Sequence, residues 1–545
     1  MHPHGTRWRL TRFPALALAF WVLFTPHWVG AAAEADPEKQ FPYGIPYSPN
    51  NTADHSKFKE LQKEFSSPEE VTRACLGCHT EAAAQIHKTI HWTWLCPAAK
   101  PEAKLGKGGD VINNFCISIH SNEPRCTSCH IGYGWKDKNF DFSRQDKVDC
   151  LVCHEQTGTY KKFPTAAGYP VAEPTEFGGK TFLPPEWNKV AQSVGRPTRK
   201  NCGTCHFFGG GGEGVKHGDL DASLFSPKKA LDVHMDAEGL NFTCTRCHTT
   251  EQHAISGRCY KSSEIVDRRS LLDYDQIKRI TCYACHSETP HKNHAKANDH
   301  TDKVACQTCH IPAIAREHST KMYWDWSQAG ERNEKGKPVV KKKDGRIVYD
   351  GKKGAFRWEK NVVPEYFWFN GRIQYLTLTE KVDPSQNPVQ LNRPMGSYDD
   401  PNARIYPFKV HRGKQPYDPV NKTLIVPHLF GKDPAAYWKS YDWQKAAEAG
   451  MEYVGLPFSG QVDFIETQFV FQSTHMVAPK EQALSCVECH SPNGRLKNLK
   501  GFYVPGRDSH PAVDALGWGG MLAALVAVLA HGGARFFSNG RRKGK

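Results

Sequence analysis

Long hydrophobic runs are scarce in this chain of 545 residues. Only 39% of it is hydrophobic and the mean hydropathy is −0.60, while glycine and proline contribute 45 and 36 residues. Few stretches repeat apolar residues with a helical period, so the polypeptide buries less of its own apolar surface than its length suggests. That excludes a multi-span membrane protein, and it excludes two to four conventional domains each closed around its own apolar core. Acidic residues are also in deficit, 57 against 71 Lys and Arg, for a formal charge of +14. Such a charge taken alone would point to nucleic acid or an anionic membrane. Spare cysteine is lacking too: of 19, all but Cys96, Cys116 and Cys259 fall into one repeated pattern. Three is odd, so at most one intramolecular disulfide can form among them and at least one thiol is left over.

The repeated pattern is Cys-x-x-Cys-His. It occurs at Cys75, Cys78 and His79; Cys126, Cys129 and His130; Cys150, Cys153 and His154; and Cys202, Cys205 and His206. It recurs at Cys244, Cys247 and His248; Cys282, Cys285 and His286; Cys306, Cys309 and His310; and Cys486, Cys489 and His490. Bare Cys-x-x-Cys also serves zinc sites and thioredoxin-like redox pairs. Those readings fail because histidine comes after the second cysteine all eight times. Two cysteines one helical turn apart form thioethers to haem vinyl groups, and the next residue sets an imidazole under the iron. Eight covalently bound c-type haems are expected. Porphyrins would supply the missing apolar core, and about 16 propionate charges would offset much of the basic excess. Nucleic acid is therefore not an expected partner.

The fold class this implies is mainly α: short helices and long loops wrapped around a haem array. Residues 1–35 read as a signal peptide, with Arg7, Arg9 and Arg12, an apolar stretch from Phe13 to Phe24, and an Ala33-Glu34-Ala35 cleavage site. An uncleaved anchor is the alternative. Residues 36–310 form a haem-rich domain with seven motifs. The second and third are 24 residues apart, as are the sixth and seventh, and close spacing of this kind predicts haems in contact. Residues 311–510 form a haem-poor region with one motif. It holds a predicted β-hairpin turning at Asp344-Gly345, aromatic-rich runs, and a helix from about Pro434 to Ala449. Residues 511–545 complete the chain. Ala515 to Ala534 is long enough to span a bilayer, and Arg535, Arg541, Arg542, Lys543 and Lys545 would hold a cytoplasmic tail. His531 and four glycines leave a peripheral hairpin as the alternative. The expected location is the periplasmic side of the inner membrane, with a quinol oxidase or a periplasmic cytochrome as electron donor.

The second axial ligand decides what each iron does: two strong ligands make a carrier, an exchangeable position makes a catalyst. Histidines near motifs are the expected distal ligands: His87, His217, His234, His253, His294, His300 and His475. His91, His120, His291, His318 and His411 are reserves. The pool can cap all eight irons, so counting alone reveals no open site.

The order of the motifs resembles that of the octahaem tetrathionate reductases, relatives of the pentahaem nitrite reductases and of hydroxylamine oxidoreductase. So do the runs from Asn201 to Gly212, Met322 to Trp326 and His475 to Glu481. The resemblance spans roughly Glu69 to Leu496. It implies a catalytic haem at the second motif, with His130 in the motif and a lysine amine on the iron. In the pentahaem enzymes that lysine replaces the motif histidine; here all eight motifs end in histidine, so it must come from elsewhere. Lys189 is the expected residue and Lys200 the runner-up. The amine binds iron only when neutral, so its pKa must fall. The resemblance also places a cysteine beside the catalytic haem, for which Cys96 is expected. The function it implies is reduction of a small inorganic anion, namely tetrathionate, nitrite or hydroxylamine. A chain with every iron capped, serving only electron transfer, and one that oxidises hydroxylamine are the competing readings.

Overall fold

The computed structural model describes residues 53–96, 101–257, 281–287 and 289–542. The signal peptide and Cys259 lie outside them. Most of the Cys-x-x-Cys-His motifs sit on one or two turns of helix, because the pair of cysteines needs only one turn. The longest are α1, Pro68–Leu76, and α2, Arg199–His206. Each is started by its own sequence. Ser67 accepts from the Glu70 amide ahead of Pro68, and Thr198 and Asn201 form a reciprocal cap, together satisfying amides that a short helix cannot pair internally. Around the first seven motifs the apolar clusters are small, such as Leu61, Phe65, Val71, Leu151 and Val190.

The haem-poor region differs from the single hairpin expected of it. It carries a mixed nine-stranded sheet, built from β1 (Thr320–Asp325), β2 (Val340–Lys343), β3 (Arg346–Asp350), β4 (Gly354–Glu359), β5 (Glu365–Phe369), β6 (Val389–Gln390), β7 (Arg404–Asp418), β8 (Thr423–Leu424) and β9 (Asp463–Gln472). The order is β6-β9-β7-β1-β4-β3-β2, with β5 and β8 also paired to β7. The Asp344-Gly345 hairpin is there as β2 and β3, but at the edge. The spine is β7, antiparallel to β9 over ten residue pairs and parallel to β1. It escapes pattern reading because it is buried on both faces yet carries Lys409, His411 and Gln415, all enclosed. Lys409 satisfies its ammonium on the Val215 and Lys216 carbonyls and Thr320 Oγ1, so burial costs it no unpaired donor.

The largest apolar core lies on this sheet, with Trp324, Trp326, Phe408, Val410, Tyr437, Ala446 and Met451. The single helix expected there is two. Tyr437–Ser440 ends at Tyr441 in a left-handed conformation, and α3, Trp443–Val454, restarts with Asp442 capping the Lys445 amide. The last described element is α4, Pro511–Arg542, exposed from Pro511 to Ser538 and apolar enough over that span to cross a membrane.

Candidate functional site: the second motif

Seven motif histidines face a second imidazole. Ring centres are 6.3 Å apart for His79 and His55, 6.5 Å for His154 and His253, and 6.1 Å for His206 and His91. They are 6.3 Å apart for His248 and His475, 6.2 Å for His286 and His234, 6.1 Å for His310 and His291, and 6.0 Å for His490 and His300. An iron bound at about 2 Å to one nitrogen of each ring separates their centres by roughly 6 Å, so these pairs fit a bis-imidazole haem. His154, His248 and His490 also place Nδ1 on a backbone carbonyl at 2.8–2.9 Å. That fixes the ring and leaves Nε2 for a metal.

Of the expected distal histidines, His234, His253, His300 and His475 stand in these pairs; His91 and His291 come from the reserves. His55 went unnoticed: nothing in its sequence context marks it, and only the fold brings it to His79. His87 instead stacks on Trp92 at 4.5 Å, His217 packs edge-on to Phe471, and His294 caps a short helix. Among the other reserves, His120 bonds the Gly109 carbonyl and His318 bonds Glu213 at 2.7 Å. His411 is enclosed in β7 with both ring nitrogens unpartnered.

Thiol contacts show which motifs adjoin. Cys75 meets Cys150, Cys129 meets Cys205, Cys202 meets Cys244 and Cys282 meets Cys306, each as a hydrogen-bonded pair. Cys247 and Cys285, and Cys309 and Cys489, lie within electrostatic reach. The sixth and seventh motifs thus touch, as their spacing predicts. The second touches the fourth, although the third is nearer in sequence.

The second motif stands apart. Its His130 has no partner imidazole among the described residues. The ring is fully buried and boxed by Trp135 at 4.9 Å, Trp92 at 5.1 Å, Phe140 at 5.7 Å, Trp94 at 5.8 Å and Phe142 at 6.3 Å. Its Nε2, the atom a motif histidine offers to iron, lies 2.6 Å from the Trp92 carbonyl. Burial pushes its pKa down to about 3, so the ring is neutral and Nε2 carries the proton it donates.

The lysine expected here is corrected by position. Lys189 is mostly exposed, its Nζ 3.5 Å from Glu186, and Lys200 is exposed as well. Among the described residues two other lysines reach the motif, and a third, Lys216, reaches one of them. Lys162 is spent: its Nζ bonds the His130 and Gly132 carbonyls and pairs with buried Asp149 at 3.0 Å. Lys107 has no hydrogen bond or ion pair among the described residues, only the Phe115 ring 5.1 Å away, and it lies within reach of the Cys126, Cys129 and Cys116 sulfurs. The next residue, Gly108, packs against Trp94 and Trp135, two walls of the His130 box. Burial lowers the Lys107 pKa. Lys216 sits over Phe471 at 5.9 Å, its pKa drawn to about 7 by burial and by Lys107.

The expected thiol, Cys96, is buried in the apolar core with Leu105, Val111 and Phe115. A second cysteine, Cys116, packs against the same core and borders the second motif, within reach of Cys126 and Lys107, its Sγ 3.9 Å from the Gly210 carbonyl. The glycine run after the fourth motif makes this approach possible. Gly210 has φ +80°, and a Cβ there would come within 2.9 Å of Val215.

Paired imidazoles beside thiol pairs define a multihaem c-type cytochrome, and the known proteins this chain resembles agree. Residues 321–493 match the bacterial cytochrome c family. An uncharacterized protein of Archaeoglobus fulgidus is 26% identical over 245 residues, 37% of this chain and 79% of that protein. The crystal structure of octahaem cytochrome c from Shewanella oneidensis is similar with a TM-score of 0.70 and 45% identity, covering 81% of this chain and 95% of that one. The chain belongs to the octahaem c-type cytochrome family that its motifs resemble.

Proposed function

We propose that the protein is an exported, membrane-anchored octahaem reductase of small inorganic sulfur or nitrogen compounds, such as tetrathionate, nitrite or hydroxylamine. One observation carries this reading: among the described residues the second motif alone lacks a partner imidazole, and its own histidine has Nε2 engaged elsewhere. Haem c would supply an iron that changes oxidation state by one electron at a time. The seven histidine pairs would hold such irons and suit them to carrying electrons. At the second motif, Lys107 is the amine that would take the place of His130, its pKa lowered by burial and no carboxylate paired to it among the described residues. Asp149 and two backbone carbonyls hold Lys162 away from that role. Lys216, with no carboxylate partner among those residues, attracts an anionic substrate and, poised near neutrality, can pass it a proton. Cys116 offers a thiol within reach of Lys107 and Cys126.

The test is Lys107→Met in the haem-loaded protein. The parent should show one EPR signal distinct from the bis-histidine set, shifting on addition of nitrite, hydroxylamine or tetrathionate. The variant should lose that signal and the substrate reduction, with seven signals intact, whereas Lys189→Met should behave as the parent. A dead Lys162→Met beside an active Lys107→Met would move the amine to Lys162. If no signal in the parent responds to any substrate, the chain is an electron carrier only.

A further inference from the structure

The eighth motif is where the chain is best placed to take up electrons. Three observations meet there. First, it is terminal in the chain of thiol contacts. Among the described residues Cys489 reaches Cys309 of the seventh motif, and contacts then run through the sixth, fifth and fourth to the second. Second, its surroundings are exposed: Val487 is 65% and Tyr503 59% accessible. Third, it is tied to the start of α4. His490 Nδ1 lies 2.9 Å from the Pro505 carbonyl. Arg507 bonds the Leu496 and Phe502 carbonyls at 2.8 Å, and Asp508 accepts from the Val504 amide at 2.8 Å. The body is thus pinned as far as Asp508, and Pro511 already belongs to the exposed apolar helix. Only Ser509 and His510 intervene. Three Cα steps allow at most about 11 Å.

We propose that this tether holds the eighth motif at the bilayer surface, making it the uptake site for electrons from a membrane protein that oxidises quinol. Quinol going to quinone releases two electrons and two protons. The donor would release the protons to water, and a ferric haem held by His490 and His300 would accept the electrons one at a time and supply them to the adjoining motifs. This rests on the anchored, haem-loaded reading above, but it does not depend on what the second motif reduces.

The probe is a lipid-tethered flavin, photoreduced with EDTA, in phosphatidylethanolamine–phosphatidylglycerol vesicles carrying the full chain. His300→Met marks the eighth haem by an altered absorption band, and His55→Met marks the first, at the far end of the contacts. The band marked by His300→Met should bleach first, at least tenfold faster than the one marked by His55→Met. In the otherwise unaltered chain, a twenty-residue Gly-Ser insertion between Ser509 and His510 lets the body drift about 25 Å from the helix. It should slow reduction by the tethered flavin at least tenfold and leave reduction by a soluble flavin unchanged. First bleaching of the band marked by His55→Met, or an insertion without effect, would overturn the proposal. An iron at the second motif that answers no substrate would sink the catalytic reading and leave this result standing.

Discussion

Single residues around the second motif act through what they lack or hold. Lys107 and Lys162 carry the same side chain in neighbouring places, yet among the described residues one has no polar partner and the other three. Replacing them should therefore fail in different ways. Lys162→Met leaves Asp149 buried without its cation, a loss of roughly 3 kcal/mol, and should lower the thermal midpoint of the loaded protein. Lys107→Met removes no polar protein partner among the described residues, only the proposed bond to iron, and should lower that midpoint by less than Lys162→Met does. Farther out, Glu69 accepts from Lys147 Nζ at 2.7 Å and Tyr169 at 2.6 Å. Burial alone would raise its pKa, but the bonds from Lys147 and Tyr169 prevail and lower it. A carboxyl depressed in the folded state stabilises fully above its unfolded value of about 4.3, and that contribution fades as pH falls through the lower folded value. Glu69→Gln should flatten the acid limb of midpoint against pH and change little at pH 7 beyond a constant offset.

Among the elements, α3 and β7 show how the haem-poor region stands without porphyrin. Helix α3 lies so close to the segment after β8 that a Cβ on Gly450 would meet the Val426 carbonyl at 1.9 Å. Backbone cannot yield there as a flexible side chain could. Gly450→Ala should destabilise by about 1–3 kcal/mol, although alanine favours helix over glycine by about 1 kcal/mol. Chemical unfolding followed by tryptophan fluorescence would show it, since Trp324, Trp326 and Trp443 share this core. No change in the midpoint would mean that α3 shifts freely, against the packing described. The haem-bearing turns behave differently. They have small clusters and short helices, and their order should depend on haem attachment.

At the scale of the molecule, the chain joins two kinds of construction: a polypeptide core on a nine-stranded sheet, and a string of motifs whose packing is completed by cofactor. Mass spectrometry of protein matured in a host competent for haem attachment should give the mature chain plus eight haems; seven or fewer would remove the octahaem claim. A chain ending at His510 should fractionate with soluble proteins, while the full chain should need detergent. If both remain in the aqueous phase, α4 is not an anchor.

Local chemistry was legible in the sequence wherever it is written in consecutive residues. Cys-x-x-Cys-His sets a thioether pair and an imidazole within five positions, so all eight motifs could be read directly, as could the Asp344-Gly345 turn and the apolar run that became α4. Everything that depends on residues meeting from afar was decided by the tertiary structure. His55, His91 and His291 carry no mark that distinguishes them from His87, His217 or His294; the fold alone sets them about 6 Å from a motif imidazole. The nine-stranded sheet was hidden because β7 is enclosed on both faces and places lysine, histidine and glutamine where alternation would show apolar residues. The proposed lysine was sought near the fourth motif because sequence cannot report burial. Lys189 and Lys107 are the same amine, and only the packing around them leaves one exposed at the surface and buries the other beside Cys126 and Cys129.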